Sequence, residues 1–553
     1  MQSAIQEGIL LAETVLQLDP RDNVAVALAP LELGAQVVCG SASITATASI
    51  PAKQKMALLD LKPGDIIRMY GMVVGEAVTA IPRGGLLTTH NIRHRAGEYT
   101  ATRHPVPAVL PNPAPWAGRT FMGYHRADGQ VGTRNYWIVL PLVFCENRNV
   151  EQMREALEEE LGYGRANSTY RQQVRQLIAR HSGTAHSADQ IPQPRAERIF
   201  PNLDGVRFLP HQLGCGGTRQ DAQALCGLLA GYIHHPNVAG ATVLSLGCQN
   251  AQTSLLMEAL RALDPELSKP VVLVDQQQSG RESALMDRAI EQTFAGLAEA
   301  DRAGRRPAPL SALTVGLQCG GSDGFSGISA NPTVGYVSDL LVGLGGATLL
   351  SEFPELHGVE QELINRCATD ELAQRFSGLM QTYAARARAV QSDFAFNPSP
   401  GNIRDGLITD AIKSAGAARK GGDAPVSAVI DYPEYATASG LTLQCTPGND
   451  VESVTAQVGA GCSLVLFTTG LGTPTGNPIA PVLKIATNTT LAERMDDIID
   501  FDAGAIVSGK TTIPQCAETL LELSIEVASG TRLTKAEQRN QNDFIPWKRG
   551  VSL

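Results

Sequence analysis

Three cysteines stand where a strand-like apolar run meets a glycine-rich turn. Cys215 lies in HQLGCG, Cys248 in LGCQNAQ and Cys319 in QCGGSDG. Thiolates that converge at neighbouring strand ends could hold an iron–sulfur cluster, or Asp323 and other oxygen ligands could form a mononuclear metal centre with them. No CxxC pair is present, and a cysteine at a strand end can also be a small packing residue. The sequence leaves the cluster, the single metal ion and the packing role open.

Two histidines and one lysine are candidates for proton transfer. His211 in HQLGCG and His90 in THNIR carry imidazoles, which titrate near neutral pH, although a single histidine is more often a structural hydrogen-bond donor. Lys484 in PVLKIATN is the third catalytic candidate. It could also pair with a substrate carboxylate or reach solvent from a strand end.

Glycine- and proline-containing turns after predicted strands supply candidate substrate ligands. Such turns let backbone amides approach an anion at the end of a parallel strand, but each is also typical of an ordinary turn. Ser326 in GGSDGFSG could bind substrate hydroxyls, or cap a turn. The remaining candidates are Asn402 in NPSPGN, Thr469 in TTGLGTP and Arg134 in GTRNYW.

The composition is that of a folded enzyme of several domains. The chain has 553 residues, 43% hydrophobic and 18% charged, with a net charge of −10. This length exceeds one hydrophobic core. The scattered basic residues favour a small-molecule partner over nucleic acid or a membrane. The amino terminus lacks a basic signal region, no apolar run is long enough to span a bilayer, and ten cysteines are too few for a disulfide scaffold, so we expect a cytoplasmic protein with reduced thiols.

Runs of turn-broken apolar residues come first, and alternating strand and helix patterns follow. We expect a tail or helix over 1–18, an all-β domain over 19–102, a proline-rich linker over 103–120, a middle α/β domain over 121–309 and a C-terminal α/β domain over 310–553. Cys215, Cys248 and Cys319 should then lie together at the carboxyl ends of parallel strands, with His211 and Asp323 in the same cleft.

Six separated motifs, in one order, resemble the altronate and galactarate dehydratases. The β-rich segment IPAKQKMALLDLKPGDIIRMYGMVVGEAVTAIPRG resembles that family's SAF domain, and WKRGVSL resembles its altronate branch. The six motifs are GYHRADGQVGTRNYWIVLP, HQLGCG, LGCQNAQ, QCGGSDGFSGISANPTVGYVSDLL, NPSPGN and FTTGLGTP.

The resemblance implies both an architecture and an activity. It implies a β-clip SAF domain, a middle dimerising domain and a variant Rossmann-like C-terminal domain. The implied activity is dehydration of an altronate-like sugar acid to a 2-keto-3-deoxy acid, with a divalent metal, Fe²⁺ above all and Mn²⁺ as an alternative, and a homodimer. Galactarate dehydratase, a lyase with another leaving group and a non-catalytic sugar-acid-binding paralogue are the alternatives.

The chain departs from this family at several positions where we expect other residues. The family's Gly-His-Lys reads Lys53-Gln54-Lys55 here, so the histidine is replaced. Loss of an imidazole, a lysine and an arginine would remove candidates for proton transfer and carboxylate binding. The changed positions include Gln54, Gln249, Ile403, Leu471 and Asp405.

Overall fold

The computed structural model describes residues 14–164, 169–182 and 197–552. The chain forms two compact units. The first unit comprises Met1–Thr133, Gly227–Pro236 and Arg305–Trp547, and the second comprises Arg134–Cys226, Asn237–Gly304 and Lys548–Leu553. Most of the predicted tail or helix over 1–18 lies outside the described residues. Its end is already a strand, since Val15–Leu16 pairs antiparallel with Val24–Ala27.

The N-terminal part of the first unit is all-β, as predicted. Its strands are two to six residues long and form small antiparallel sheets, with tight turns between them. Side chains alternate between buried and exposed along Gln36–Cys39, as expected for a sheet with one face on a core. The strands are Val15–Leu16, Val24–Ala27, Gln36–Cys39, Ala42–Thr45, Lys55–Ala57, Ile66–Met69, Met72–Ala77 and Ile92–Arg93.

A seven-stranded parallel sheet forms the C-terminal part of the first unit, which confirms the predicted Rossmann-like layer. Its central strands are fully buried because helices cover both faces, and their sequences are accordingly almost continuous apolar runs. The spatial order is Val426–Ile430, Gly440–Gln444, Ala347–Leu350, Thr314–Cys319, Leu464–Thr469, Val482–Ala486 and Phe501–Asp502.

The helices of this part begin at polar N-cap residues, except Glu360–Arg366, whose N-cap residue is Val359. Thr409 accepts a hydrogen bond from the amide of Ile412, and Thr512 forms a capping box with Gln515. Among the described residues, no helix is both long enough and apolar enough to cross a membrane. The helices are Ala330–Gly343, Glu360–Arg366, Asp370–Ala389, Pro400–Arg404, Asp410–Ala417, Asp450–Gly459, Thr489–Arg494, Ile513–Ala528 and Lys535–Gln538.

The predicted linker contains one short 3-10 helix, Ala114–Trp116, and hydrogen bonds attach its start to the first unit. The guanidinium of Arg103 forms an ion pair with Asp370, and the amide of His104 donates to Asn365. The strand Thr120–His125 then pairs with Val131–Gly132 and Arg306–Pro309 in a three-stranded sheet of the same unit. These residues belong to the first compact unit, and the predicted boundaries of the middle domain, 121–309, stay a prediction.

The second unit is a four-stranded parallel sheet with helices. Its strand order is Gly205–Phe208, Tyr136–Pro141, Val238–Ser245 and Val271–Asp275. The two helices predicted from VEQMREALEEELG and ESALMDRAIEQTFAGLAEA are present, so periodicity located them well. The helices are Asn147–Glu160, Thr169–Ser182, Arg219–His234, Thr253–Leu263, Gln276–Ser279 and Glu282–Ala300. The part of Arg219–His234 from Gly227 onwards belongs to the first unit.

Candidate active site

Polar side chains collect at the carboxyl edge of the seven-stranded sheet. The strand Thr314–Cys319 ends at Cys319, and Glu352 follows the neighbouring strand Ala347–Leu350. Because the strands are parallel, these residues meet at one edge, where α/β proteins bind their ligands. Asp323 lies beyond the first of these strands and is fully buried.

Cys319 is part of a buried network of ionisable groups. The ammonium of Lys420 lies 2.7 Å from the Cys319 sulfur and 3.0 Å from Oε2 of Glu352. The Cys319 sulfur is also 3.5 Å from Oε2 of Glu355. Glu355 in turn pairs with Lys413, whose ammonium lies 2.5 Å from Oε1. Two lysines therefore balance two glutamates in a part of the site that water does not reach.

Burial and pairing set the charge of each group in this network. Burial outweighs the effect of Lys420 and raises the pKa of the Cys319 thiol, so Cys319 is neutral. Burial opposes the charged form of Glu355, but Lys413 and Lys420 outweigh it and hold its pKa below the usual value. Burial likewise opposes the Lys413 ammonium, yet Glu355 above all raises the pKa of Lys413 to about 12.

Asp323 forms a second ionic cluster with residues from distant segments. Its Oδ2 lies 3.0 Å from the ammonium of Lys53, which also lies 2.9 Å from Oδ1 of Asp405. Its Oδ1 accepts hydrogen bonds from the hydroxyl of Ser326 and the amide of Phe325. Burial lowers the pKa of Lys53, but Asp323 and Asp405 outweigh this effect and raise it, so Lys53 is an ammonium.

The backbone of Gly470 packs directly against the side chain of Asp323, and only a glycine fits there. A Cβ on Gly470 would lie 2.3 Å from Cγ of Asp323, which no real side chain tolerates. Lys53 itself has a φ of 74°, a left-handed conformation that is uncommon for a lysine. Its ion pairs with two carboxylates stabilise this conformation.

Lys55 is a fully buried lysine two residues from Lys53. Its ammonium donates hydrogen bonds to the carbonyls of Lys53 and Gly406, at 2.9 and 2.6 Å. No carboxylate is close enough to form a salt bridge with it among the described residues, and burial lowers its pKa to about 7, with Asp323 opposing the shift. A lysine in this state can accept a proton at neutral pH.

Three predicted substrate ligands lie at this edge, and their side chains form hydrogen bonds with neighbouring protein groups. They are Ser326, Asn402 and Thr469. The Ser326 hydroxyl donates to Asp323, and the Asn402 amide donates to the carbonyl of Ser322 at 2.7 Å. The Thr469 hydroxyl accepts from the amides of Gly472 and Thr473. Their substrate-binding roles stay predictions, and in this arrangement they shape the turns around Asp323.

His211 has the geometry of a structural histidine. Its side chain is buried in the second unit, with Nε2 2.8 Å from the Pro141 carbonyl and Nδ1 accepting from the amide of Leu213. Burial lowers the pKa of His211 to about 4, despite the Pro141 carbonyl. Both ring nitrogens are thus engaged, which argues against the predicted role in proton transfer.

The two other predicted catalytic residues lie in the first unit. His90 is exposed in the turn before Ile92–Arg93. Lys484 is buried inside its strand, and its ammonium donates to Oε1 of Gln541 at 3.2 Å. Burial lowers the pKa of Lys484 to about 8, with Asp500 opposing. In the part of the chain that the structure describes, no hydrogen bond or ion pair joins either residue to Asp323 or Cys319, and their catalytic roles stay predictions.

The predicted convergence of three cysteines involves both units. Cys215 and Cys248 belong to the second unit and are exposed, whereas Cys319 belongs to the first and is buried. Cys215 lines a cavity of about 270 Å³ in the second unit, beside Asp221 and Lys548. Arg134 is buried in the second unit, where its backbone amide donates to Asn237. The three-cysteine centre stays a prediction.

The positions that depart from the expected family pattern are distributed over both units. Gln54 donates to the Arg404 carbonyl beside the Lys53 cluster, and Asp405 is the second ion-pair partner of Lys53. Gln249 is buried in the second unit and hydrogen-bonds to Ser245. Ile403 is partly buried against the core, and Leu471 caps the turn by donating its amide to Gly321.

Several of these site residues carried no motif that pointed to them. Lys53 and Lys55 stand where the family has Gly-His-Lys, but they were not assigned a role, and Glu352 and Glu355 were visible only as acidic residues in SEFPE. The usable signal was the position of SEFPE at a strand end, where carboxylates gather in α/β folds. Nothing local marks Lys420, which reaches Cys319 from 101 residues away.

The resemblance implies a divalent metal, and two groups of side chains at this edge could in principle bind it. Donor atoms of Cys319, Glu352 and Glu355 lie within 4.8 Å of one another, a spacing that suits a metal ion. However, the Lys420 ammonium already contacts both the thiol and Glu352, and Lys53 holds the same relation to Asp323. A metal at either place would have to displace an ammonium, so these residues do not fit one as arranged.

The fold and the site together define a multidomain α/β protein whose N-terminal β domain supplies lysines to the strand-end edge of a parallel sheet. Three family models cover nearly the whole chain. The Altronate/galactarate dehydratase SAF domain matches residues 13–95, the second domain of D-galactarate dehydratase/Altronate hydrolase matches 123–301, and the C-terminal domain of D-galactarate/Altronate dehydratase matches 310–552. The chain belongs to the altronate and galactarate dehydratase family.

Three relatives illustrate how far the similarity extends. The altronate dehydratase of Bacillus subtilis is 33% identical over 98% of this chain and 100% of its own length. The galactarate dehydratase (L-threo-forming) of Escherichia coli is 33% identical over 88% of each chain. The (2R)-sulfolactate sulfo-lyase subunit beta of Chromohalobacter salexigens is 30% identical over 77% of this chain and 97% of its own.

Proposed function

We propose that this protein is a hydro-lyase that removes water from an altronate-like sugar acid and forms a 2-keto-3-deoxy acid. The observation that carries this proposal is its full-length similarity to an altronate dehydratase. The buried, oppositely charged groups at the sheet edge support it, because dehydration needs a base and an acid held in a water-poor site. Galactarate is the second substrate that we propose.

Lys55 is the group that we assign to proton abstraction. Dehydration begins with loss of a weakly acidic proton from the carbon beside the carboxylate, and a base with a pKa near the working pH serves this step best. Burial lowers the pKa of Lys55 to about 7, so an appreciable fraction is neutral at that pH. The Lys53 ammonium and the Asp323 carboxylate next to it would donate to and accept from substrate hydroxyls.

Asp450 is the group that we assign to protonation of the departing hydroxyl. Asp450 is the first residue of the helix Asp450–Gly459. Its carboxylate packs against the backbone of Gly320, three residues before Asp323: if Gly320 had a Cβ, that atom would lie 2.2 Å from Oδ2 of Asp450. Burial above all, with Glu352, raises the pKa of Asp450 to about 8, so it carries a proton at neutral pH. Burial thus favours a neutral amine at Lys55 and a protonated carboxyl at Asp450, which are the forms that a base and an acid need.

A screen of aldonic and aldaric acids tests the reaction. Protein purified without oxygen is assayed with and without Fe²⁺, Mn²⁺ and a thiol reductant, and 2-keto acid formation is measured. We expect turnover of altronate or galactarate with Lys62→Met as an active control, since Lys62 is an exposed lysine of the same β domain. No turnover of any acid, in protein with verified metal content, would favour a binding paralogue.

A lyase that expels a group other than water is the second candidate. The similarity to a sulfolactate sulfo-lyase subunit supports it, because the same α-proton removal can precede loss of another leaving group. Replacement of expected charged residues by Gln54, Ile403 and Leu471 fits a changed substrate. Adding sulfolactate to the screen and measuring sulfite together with 2-keto acid separates the two reactions.

We also propose that the protein acts in the cytoplasm as a homodimer that uses a divalent metal, with iron first. The resemblance supports the dimer and the metal. The described residues include all ten cysteines as thiols, and this fits a reducing compartment. Light scattering after size-exclusion chromatography under reducing conditions tests the dimer, and metal analysis of protein purified without oxygen tests the iron.

A further inference from the structure

Two histidines and one carboxylate of the first unit converge at a place where none of them is an ion-pair partner in either ionic cluster. His94 follows the last short strand of the β domain, His357 follows the turn Phe353–Leu356, and Asp410 begins the helix Asp410–Ala417. One ligand atom from each lies within 4.8 Å of the other two. The two imidazole rings stack, with centroids 5.4 Å apart and planes inclined by 28°.

Asp410 is a buried carboxylate that lacks a hydrogen-bond partner among the described residues. Its side chain is fully buried, and within this part of the chain neither Oδ1 nor Oδ2 accepts a hydrogen bond. A buried carboxylate normally has hydrogen bonds or a cation, because removal from water is costly. The nearby ammonium of Lys413 is paired with Glu355 instead.

The two histidines present the nitrogen atoms that a metal would use. Nδ1 of His94 is buried and has no hydrogen-bond partner. Nδ1 of His357 lies 2.9 Å from Oε1 of the buried Glu360, which leaves Nε2 for a ligand. A carboxylate that holds the far nitrogen of a ligating histidine is the usual outer shell of a metal site.

We propose that His94, His357 and Asp410 bind a divalent transition-metal ion, with Glu360 orienting His357. Imidazole nitrogens and a carboxylate oxygen suit ions of the zinc and ferrous class, and three protein ligands leave a position open. His94 is partly exposed and the His357 side chain is 29% exposed, so the ion can enter from solvent.

The contrast with the Cys319 cluster favours this location. Lys420 and Lys413 already neutralise Glu352 and Glu355 there, whereas Asp410 has no such partner. The proposal goes beyond the sugar-acid dehydratase function, because it assigns a metal-binding site whose occupancy can be measured without an activity assay.

Cobalt binding to the full-length protein tests the site. Protein freed of metal with a chelator is titrated with Co²⁺, and binding is followed by equilibrium dialysis and visible absorption. We expect one tightly bound Co²⁺ per chain, with ligand-field bands but no thiolate-to-cobalt charge-transfer band, because the ligands are nitrogen and oxygen. We also expect the bound ion to raise the melting temperature by several degrees.

Three variants separate this site from other metal-binding side chains. Asp410→Asn and His94→Ala should abolish the tight binding, and Glu360→Gln should weaken it by about 10- to 100-fold, as for other outer-shell residues. His104→Ala is the control, since His104 is an exposed histidine of the same unit. Should Asp410→Asn fail to fold, His94→Ala carries the test, because His94 lies on the partly exposed side.

Equal affinity of wild type, Asp410→Asn and His94→Ala for Co²⁺ would overturn the proposal, as would the absence of saturable binding. A thiolate charge-transfer band as the sole signal would assign the metal to cysteines instead. None of these outcomes depends on sugar-acid turnover, so a failure of this site and a failure of the proposed dehydratase function are distinguishable.

Discussion

The two parallel sheets of this protein carry similar cysteine motifs in opposite environments. In the first unit, QCGG places Cys319 at a strand end among two lysines and two glutamates, all of them buried. In the second unit, LGCG and LGCQ place Cys215 and Cys248 at exposed positions. Equivalent short motifs at equivalent strand ends thus produce one buried ionic network and one pair of accessible thiols.

This difference arises from segments that are distant in sequence. Lys420 reaches Cys319 across 101 residues, and Lys53 reaches Asp323 from the β domain. A strand-end motif fixes where its own side chains lie, but the partners that burial brings next to them decide their charge and reactivity. The experiments below remove these partners one at a time.

Removing Lys420 should have the largest effect. In Lys420→Met, the buried Glu352 loses its ammonium partner, and breaking a buried pair from one side costs about 3–5 kcal/mol of stability. Urea denaturation of wild type and variant measures this loss. Cys248→Ser is the matched change in the other sheet, and we expect it to alter stability by no more than about 0.5 kcal/mol.

Equal stability of Lys420→Met and wild type would break the comparison. It would mean that Glu352 takes up a proton and tolerates burial alone, so the network would not depend on its lysines. If Lys420→Met is destabilised as expected, the double variant Lys420→Met/Glu352→Gln should regain much of the loss, because it removes both buried charges.

Replacing Lys55 should reduce turnover strongly. If Lys55 is the base, Lys55→Met should lower kcat about 10²- to 10⁴-fold, the usual contribution of proton transfer, with little change in melting temperature. Lys62→Met, at an exposed position of the same domain, is the control. A variant that keeps full activity would remove Lys55 from the proposed mechanism.

The lowered pKa of Lys55 predicts how both activity and stability change with pH. Burial lowers the pKa of Lys55 from its ordinary value of 10.5 to about 7 in the folded protein. Activity should therefore rise as the pH passes about 7, where Lys55 loses its proton. Between these two values the unfolded chain binds a proton that the folded protein lacks, so the Lys55 contribution makes stability rise with pH, and Lys55→Met should reduce that slope.

The sequence predicted the elements better than the site. Continuous apolar runs located strands such as Leu464–Thr469, and helical periodicity located Glu282–Ala300, because both signals are local. The motifs also led to Cys319 and Asp323 at the correct sheet edge. They did not predict Lys53 or Lys55 as their neighbours, since contacts between the β domain and the sheet depend on tertiary packing, which no local pattern encodes.

His211 shows the same limit from the other side. Its motif HQLGCG made it the preferred catalytic histidine, yet the backbone carbonyl of Pro141 and the amide of Leu213 occupy its ring. The residue type and the motif were compatible with both roles. Only the arrangement of the neighbouring strand Tyr136–Pro141 distinguishes a structural histidine from a proton carrier.

The Lys53 ion pairs should have a smaller effect than the buried network. A double-mutant cycle with Lys53→Met and Asp405→Asn should give a coupling of about 0.2–1 kcal/mol, because the Lys53 and Asp405 side chains are 19% and 31% exposed. A second cycle with Asp323→Asn should give a larger coupling, since Asp323 is fully buried. Equal couplings in the two cycles would contradict the view that burial sets the strength of these pairs.

Thiol labelling compares the accessibility of the cysteines in the two sheets directly, and it is expected to have the smallest effect on the protein. In native protein, Cys145, Cys215 and Cys248 are exposed and should react with iodoacetamide, whereas Cys319 should react only after unfolding, since it is buried and burial raises its pKa. Mass spectrometry of the labelled peptides gives the result for each cysteine.

Iron turns the same labelling experiment into a test of the three-cysteine centre. If Cys215 and Cys248 hold iron, loading the protein with Fe²⁺ under anaerobic conditions should suppress their labelling, and a chelator should restore it. If iron leaves the labelling unchanged while Cys215→Ser and Cys248→Ser keep the iron content of wild type, the two thiols bind no metal. The similarity of the three motifs would then reflect only the glycine-rich turn that follows a buried strand, with the chemistry of each cysteine set by its own unit.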